Sequence, residues 1–186
     1  MWNLPNILTL LRIVLIPLFV LAFYLPWEGR YLASAAIFGL AAITDWLDGY
    51  LARKLDQHTP FGAFLDPVAD KLIVAVALLM LLESYSSIAF ALPTMVIIGR
   101  EIVISALREW MAEIGARTSV AVSFVGKIKT TLQMIAIAVL LLVNPEQYPV
   151  YSYLGIVLLY AAAILTLWSM VMYLKAAWPT LKETSS

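Results

Sequence analysis

Residues 45–70 read DWLDGYLARKLDQHTPFGAFLDPVAD, and four of the aspartates in this stretch fall inside membrane-length apolar segments. These are Asp45, Asp48, Asp66 and Asp70. An ionised carboxylate is costly to hold at membrane depth, so such residues usually line a cavity, meet a cation, or both. Four carboxylates together favour a divalent metal, and the stretch predicts an intramembrane active site.

Composition places the chain among integral membrane proteins. Of its 186 residues, 63% are hydrophobic and only 13% are charged, whereas a soluble domain carries roughly a quarter charged residues. There is no cysteine, which excludes a disulfide framework and thiolate chemistry. The formal net charge is zero, which argues against a nucleic-acid partner.

The hydropathy pattern predicts an all-α bundle of six transmembrane helices, since about 20 apolar residues make one span. Short breaks with turn or polar residues separate the segments and leave no room for a second domain, so residues 1–186 are predicted to form one membrane domain. The expected spans are residues 5–25, 31–53, 62–82, 89–112, 120–143 and 151–174.

Basic residues predict the orientation of these spans. The loops after the first, third and fifth spans contain Arg30 as their only Lys or Arg. The loops and helix ends on the opposite side contain Arg53, Lys54, Arg117, Lys175 and Lys182. Because positive residues favour the cytoplasmic side, both termini are expected in the cytoplasm, with a polar cavity open to that side.

Helical spacing predicts that the four aspartates meet. Positions three or four apart share a helix face, so Asp45 and Asp48 lie on one stripe of the second span, and Asp66 and Asp70 on one stripe of the third. The short connection over residues 53–61 brings both stripes to the cytoplasmic end. Oxygen ligands without His or Cys suit Mg²⁺ or Mn²⁺, and four carboxylates suffice for two ions, a recurrent device for displacement at phosphorus. The alternative is a set of structural ion pairs or one structural cation.

Small residues beside the aspartates predict a ligand that approaches the helix backbone. Gly49 and Ala52 accompany the first pair of aspartates, and Gly62 stands where the third span begins. Arg53, at the mouth of the expected cavity, can meet a phosphate with a planar fork of donors.

The pattern D-x₂-D-G-x₂-A-R-x₈-G-x₃-D-x₃-D, from Asp45 to Asp70, resembles the signature of the CDP-alcohol phosphotransferase family, and the six-span layout is similar too. The resemblance implies transfer of a phosphatidyl or similar group from a CDP-activated donor to an alcohol, with release of CMP. It also implies two divalent ions, Mg²⁺ or Mn²⁺, held by Asp45, Asp48 and Asp66, with Asp70 as a ligand and as the base toward the acceptor hydroxyl.

The same resemblance implies a set of residues around the CDP moiety. Gly49, Ala52, Arg53 and Gly62 would border it. The start of the first span, where Asn6, Thr9 and Arg12 recur at helical spacing, is similar to a stretch that adjoins the nucleotide in the family, which favours donor binding by Asn6 and Thr9. The alternative for this stretch is a helix cap followed by an arginine whose charged end reaches the membrane surface.

Cations inside the fourth and fifth spans predict an acceptor that carries its own phosphate. If the aspartates bind metal, the simplest counter-charge for the cations of these spans is an anionic group of a substrate. These cations are Arg100, Arg108, Lys127 and Lys129. Residues 99–110 and 120–130 resemble bacterial family members whose acceptor is sn-glycerol 3-phosphate. The resemblance therefore implies that these four residues bind the acceptor phosphate. The alternative is that their side chains extend to the membrane surface.

The expected partners are CDP-diacylglycerol, glycerol 3-phosphate and membrane lipid, in a bacterial cytoplasmic (inner) membrane. Inositol phosphate and phosphatidylglycerol are alternative acceptors, and the oligomeric state stays open, with a homodimer as one alternative. A cation-coupled transporter is the competing class of function. Such folds often contain inverted repeats and broken helices, and this sequence shows neither.

Overall fold

The computed structural model describes residues 4–55, 60–115 and 124–184. Within these ranges the chain forms six helices, which confirms the all-α class. In chain order they are α1 Leu4–Tyr24, α2 Arg30–Leu55, α3 Pro60–Tyr85, α4 Ile88–Glu113, α5 Phe124–Leu142 and α6 Pro149–Thr184.

Helix α6 is the clearest departure from the expected spans. The sixth span was predicted to end at residue 174, but α6 continues to Thr184. The prediction stopped before Lys175, where the apolar run ends. A helix need not end at that point, because residues 175–177 are lysine and two alanines, which are good helix formers.

Local chemistry explains where several helices begin and end. Pro60 and Pro149 are the first residues of α3 and α6, the position where a proline costs no hydrogen bond. Ser87 caps α4 with extended backbone angles (φ −131°, ψ 144°), and its Oγ accepts a hydrogen bond from the Phe90 N–H at 3.2 Å. Gly115 follows α4 with a φ of 71°, the left-handed conformation that commonly ends helices.

Three of the described helices are long and apolar enough to cross a membrane, over Asn6–Tyr24, Ile88–Glu113 and Pro149–Trp178. This agrees with the composition and supports a membrane protein. The number of spans, their orientation and a cavity open to the cytoplasm stay predictions.

The described residues group into two compact units. The first unit contains Met1–Tyr85 and Ile137–Tyr153, and the second contains Ser86–Ala136 and the chain from Leu154 onward. The organisation of residues 1–186 as one domain stays a prediction.

In the first unit, α1 packs against α2 and α3. The buried residues described on α1 recur every three or four positions, so they form one stripe that faces its neighbours. At the C-terminal end of the stripe, Phe19 is fully buried, with its ring centroid 6.4 Å from that of Phe38 on α2. At the N-terminal end the stripe is polar. The whole stripe consists of Asn6, Thr9, Arg12, Ile16 and Phe19.

The second unit also has polar side chains in its interior. On α4, the buried stripe includes Ile97, Arg100 and Ile104. Lys129 of α5 and Ser169 of α6 are buried as well. Burial of unpaired polar groups is costly, so these side chains need partners within the unit or on a ligand.

Phe19→Ala should destabilise the protein because it removes the buried ring between α1 and α2. We expect the free energy of unfolding to fall by at least about 2 kcal/mol. The matched control is Leu18→Ala, since Leu18 is 47% exposed and should cost far less. Unfolding in mixed micelles of increasing SDS content measures both variants, and equal losses would contradict this account of the packing.

Candidate active site

Arg12 of α1 lies among three aspartates. Its side chain is fully buried, and its Nη1 lies 3.1 Å from Asp45 Oδ1. The same guanidinium forms close ion pairs with Asp48 of α2 and Asp70 of α3. Asp45 and Asp48 stand almost one turn apart on α2, so one face of that helix presents both carboxylates to one guanidinium.

Thr9, one turn before Arg12, contacts the fourth aspartate. Its Oγ donates a hydrogen bond to Asp66 Oδ1 at 2.5 Å and lies 3.5 Å from Asp48 Oδ2. A hydroxyl has a single proton to donate, so the shorter contact with Asp66 is the principal hydrogen bond. Thr9 and Arg12 together therefore contact all four aspartates that the sequence singled out.

The aspartate cluster, defined as Asp45, Asp48, Asp66 and Asp70, has a buried end and an open end. Asp48 is buried, whereas the side chains of Asp45 and Asp70 are 48% and 42% exposed. Within the cluster and its Arg12 partner, four carboxylates face one guanidinium. That imbalance leaves a surplus of negative charge, which attracts cations.

The chemistry of the donors suits a hard divalent cation. Every donor atom of the cluster is a carboxylate oxygen, with the Thr9 hydroxyl beside them, and such ligands suit Mg²⁺ and Mn²⁺. In the part of the chain that the structure describes, no three acidic, His or Cys side chains stand close enough to hold an ion together. Arg12, which contacts three of the carboxylates, occupies the space between them.

The residues predicted to border the CDP moiety are only partly placed. Asn6 is buried on the same α1 stripe as Thr9 and Arg12, and Gly62 is buried near the start of α3. The side chains of Ala52 and Arg53, and the surroundings of Gly49, lie outside what the structure describes.

A second polar group, the basic cluster, is defined as Arg100 and Glu101 of α4 with Lys129 of α5. Arg100 Nη1 and Lys129 Nζ share one oxygen, Glu101 Oε1, at 2.5 Å and 3.4 Å. Arg100 Nη2 also lies 3.4 Å from Ser169 Oγ on α6. Two buried cations thus face one carboxylate, so this cluster has a surplus of positive charge.

Arg108 contacts a tyrosine of α6. Its Nη2 donates a hydrogen bond of 2.7 Å to the Tyr173 hydroxyl, and its guanidinium carbon lies 5.0 Å from the centre of the tyrosine ring. The structure therefore joins Arg100 to Lys129 and places Arg108 against α6. The Lys127 side chain lies outside the described residues.

Sequence reasoning missed three contributors to these sites. The sequence assigns Arg12 no contact with the aspartates, although its spacing from Asn6 and Thr9 indicates one polar stripe. Ser169 and Tyr173 were unassigned, and their only signal was a separation of four positions on an apolar helix. Such spacing identifies a shared face but not the residue across from it.

The chain is similar to proteins with known names. Residues 2–168 match the family described as CDP-alcohol phosphatidyltransferase. A Pseudomonas fluorescens protein is 56% identical over 181 residues, which cover 97% of this chain and 92% of the relative. Proteins from Salmonella typhimurium and Escherichia coli are each 57% identical over 176 residues, 95% of both chains. All three are named CDP-diacylglycerol–glycerol-3-phosphate 3-phosphatidyltransferase.

Glu101→Gln should destabilise the second unit because it leaves Arg100 and Lys129 side by side without a counter-charge. The expected loss is at least about 1–3 kcal/mol, because that is the cost of a buried polar group without its partner and a charged group costs more. Glu109→Gln, on an exposed position of the same helix, is the matched control. Thermal unfolding in detergent compares the two, and a Glu101→Gln variant as stable as the control would contradict the role given to Glu101.

Proposed function

The chain belongs to the CDP-alcohol phosphatidyltransferase family, and we propose that it transfers the phosphatidyl group from CDP-diacylglycerol to sn-glycerol 3-phosphate, giving phosphatidylglycerophosphate and CMP. The names of relatives at 56% and 57% identity over nearly the whole chain support this activity. The structural observation that carries it is the aspartate cluster, in which all four carboxylates of the family signature meet Thr9 and Arg12.

We propose that Asp45, Asp48, Asp66 and Asp70 hold two divalent cations, Mg²⁺ or Mn²⁺. When bound, such ions would neutralise the negative charge of the donor diphosphate while its bond to CMP is replaced by a bond to the acceptor oxygen. The oxygen-only donors and the negative surplus of the cluster support this assignment. The open end of the cluster, formed by Asp45 and Asp70, supplies access from outside the protein interior.

Asp70 is proposed as the general base. The hydroxyl oxygen of the acceptor attacks the phosphorus that carries the diacylglycerol, and the bond from that phosphorus to the oxygen of CMP breaks. The Asp70 carboxylate accepts the hydroxyl proton, and CMP leaves with the bonding electron pair. The half-exposed side chain of Asp70 supports this role, because a base must reach the hydroxyl that it deprotonates.

Binding of the CDP moiety is assigned to residues around the aspartate cluster. Asn6 and Thr9 support this assignment from the structure, because both are buried on the stripe of α1 that meets the aspartates. The remaining proposed contacts rest on the family signature and are Gly49, Ala52, Arg53 and Gly62.

The acceptor phosphate is assigned to Arg100, Arg108, Lys127 and Lys129. The positive surplus of the basic cluster supports this assignment, since buried cations require a counter-charge. The hydrogen bond and the ring contact of Arg108 are both with Tyr173, a neutral side chain. A phosphate bound by these residues would receive charge-assisted hydrogen bonds, which are roughly twice as strong as neutral ones.

We further propose that the protein is a multi-pass protein of a bacterial cytoplasmic membrane, with six spans and both termini in the cytoplasm. The distribution of lysine and arginine between alternate loops supports this orientation. The placement also suits the chemistry, because the acyl chains of the donor stay in lipid while glycerol 3-phosphate arrives from water.

Release of CMP by the purified protein tests the proposed activity. The reaction contains CDP-diacylglycerol in mixed micelles, Mg²⁺ or Mn²⁺, and one acceptor at a time: glycerol 3-phosphate, inositol phosphate, phosphatidylglycerol or glycerol. We expect CMP release to depend on glycerol 3-phosphate. Equal release with the other acceptors would refute the acceptor assignment, and no release with any acceptor would refute the activity.

Asp45→Asn and Asp66→Asn should abolish CMP release while the protein still folds and inserts. Each carboxylate is expected to balance metal charge, and loss of one charge-stabilising element typically costs about 10²–10³ in rate. Asp56→Asn, at a variable position of the family signature, is the matched control. Near-normal turnover of either variant at saturating Mg²⁺ would contradict the metal assignment.

Arg108→Ala and Lys129→Ala should raise the KM for glycerol 3-phosphate before that for CDP-diacylglycerol. Hydrogen bonds to charged groups contribute about 1.5–3 kcal/mol, so the expected rise is roughly ten- to a hundredfold. Arg30→Ala is the control, since Arg30 contacts Tyr31 at the start of α2. Equal changes in KM for donor and acceptor would mean that these residues act on the fold or on donor binding.

A further inference from the structure

Arg12 contacts the carboxylates that the proposed function assigns to divalent cations. Its guanidinium reaches Asp45 Oδ1, Asp48 Oδ2 and Asp70 Oδ1. We propose that Arg12 is an internal competitor of the divalent cation, so that ion and guanidinium bind these oxygens in turn. The inference rests on the proposed metal site and adds a residue that controls its affinity.

Simultaneous binding is unfavourable for reasons of geometry and charge. A guanidinium hydrogen bond uses the same oxygen lone pairs that a hard cation requires. The positive charge of Arg12, held between the carboxylates, would also repel an incoming divalent ion. Metal binding therefore requires the guanidinium to withdraw.

The contacts of Arg12 in its present position are incomplete. Its Nε is buried and has no hydrogen-bond partner among the described residues, so its present position leaves one donor unsatisfied. Two of its partners, Asp45 and Asp70, form the open end of the cluster. Asp66 is held by Thr9 and does not depend on Arg12 for that contact.

The competing role gives Arg12 a function when no ion is bound. Buried carboxylates that face one another without a counter-charge repel and destabilise the fold. Arg12 supplies that counter-charge from α1, on the stripe that packs against α2 and α3. The consequence is a lower metal affinity than the carboxylates alone would have. A positioning residue that prearranges the carboxylates for metal would have the opposite effect.

Mn²⁺ binding to the full-length protein tests this inference. Electron paramagnetic resonance measures free Mn²⁺ in titrations of wild type, Arg12→Gln and Arg12→Lys, with Arg30→Gln as the matched control. We expect Arg12→Gln to bind Mn²⁺ roughly ten- to a hundredfold more tightly, the equivalent of the charge-assisted hydrogen bonds that no longer compete. Arg12→Lys, which keeps the charge without the fork of donors, should fall between Arg12→Gln and wild type. The control should match wild type.

Thermal unfolding provides a second readout that does not depend on activity. In EDTA, Arg12→Gln should unfold at a lower temperature than wild type, and saturating Mn²⁺ should close that gap. Unchanged or weaker Mn²⁺ affinity of a folded Arg12→Gln would overturn the competition. If Arg12→Gln fails to fold, Arg12→Lys decides, and an affinity equal to or weaker than that of wild type overturns the inference. A wild type that binds no Mn²⁺ would instead refute the proposed metal site, and the competition with it.

Discussion

Mutual repulsion among four carboxylates is the constraint on which the rest of the first unit depends. Aspartates this close in a largely apolar protein need positive charge and hydrogen-bond donors. Helix α1 supplies both within one turn, through the Arg12 guanidinium and the Thr9 hydroxyl. The same stripe continues to Phe19, which packs against α2. Packing and charge balance therefore use one face of one helix.

The second unit faces the opposite imbalance. Arg100 and Lys129 are buried and share one carboxylate oxygen of Glu101. Each cluster taken by itself thus has a surplus of one sign, negative at the aspartate cluster and positive at the basic cluster. The proposed reaction, transfer of a phosphatidyl group from CDP-diacylglycerol to a phosphorylated alcohol, needs positive charge at the anionic groups of both substrates.

The sequence was sufficient for the helices and for the membership of the aspartate cluster. Apolar length identified six segments that the structure has as α1 to α6, and the three-residue and four-residue spacings placed Asp45 with Asp48 and Asp66 with Asp70. It was insufficient for the partners across helix boundaries. Spacing determines which residues share a face, but tertiary packing determines what that face meets. This is why Arg12 was not recognised as the bridge between α2 and α3, nor Ser169 and Tyr173 as contacts of the α4 arginines.

The number of Mn²⁺ ions bound per chain, measured with CDP-diacylglycerol present, tests the central claim most directly, because the claim assigns the four aspartates to two cations. Titration of the wild type should reach two Mn²⁺ ions per chain, and Asp48→Asn, at the most buried of the aspartates, should bind fewer. A wild type that binds no Mn²⁺, or an Asp48→Asn variant with full stoichiometry and unchanged affinity, would contradict the assignment of the aspartate cluster as the metal-dependent active site.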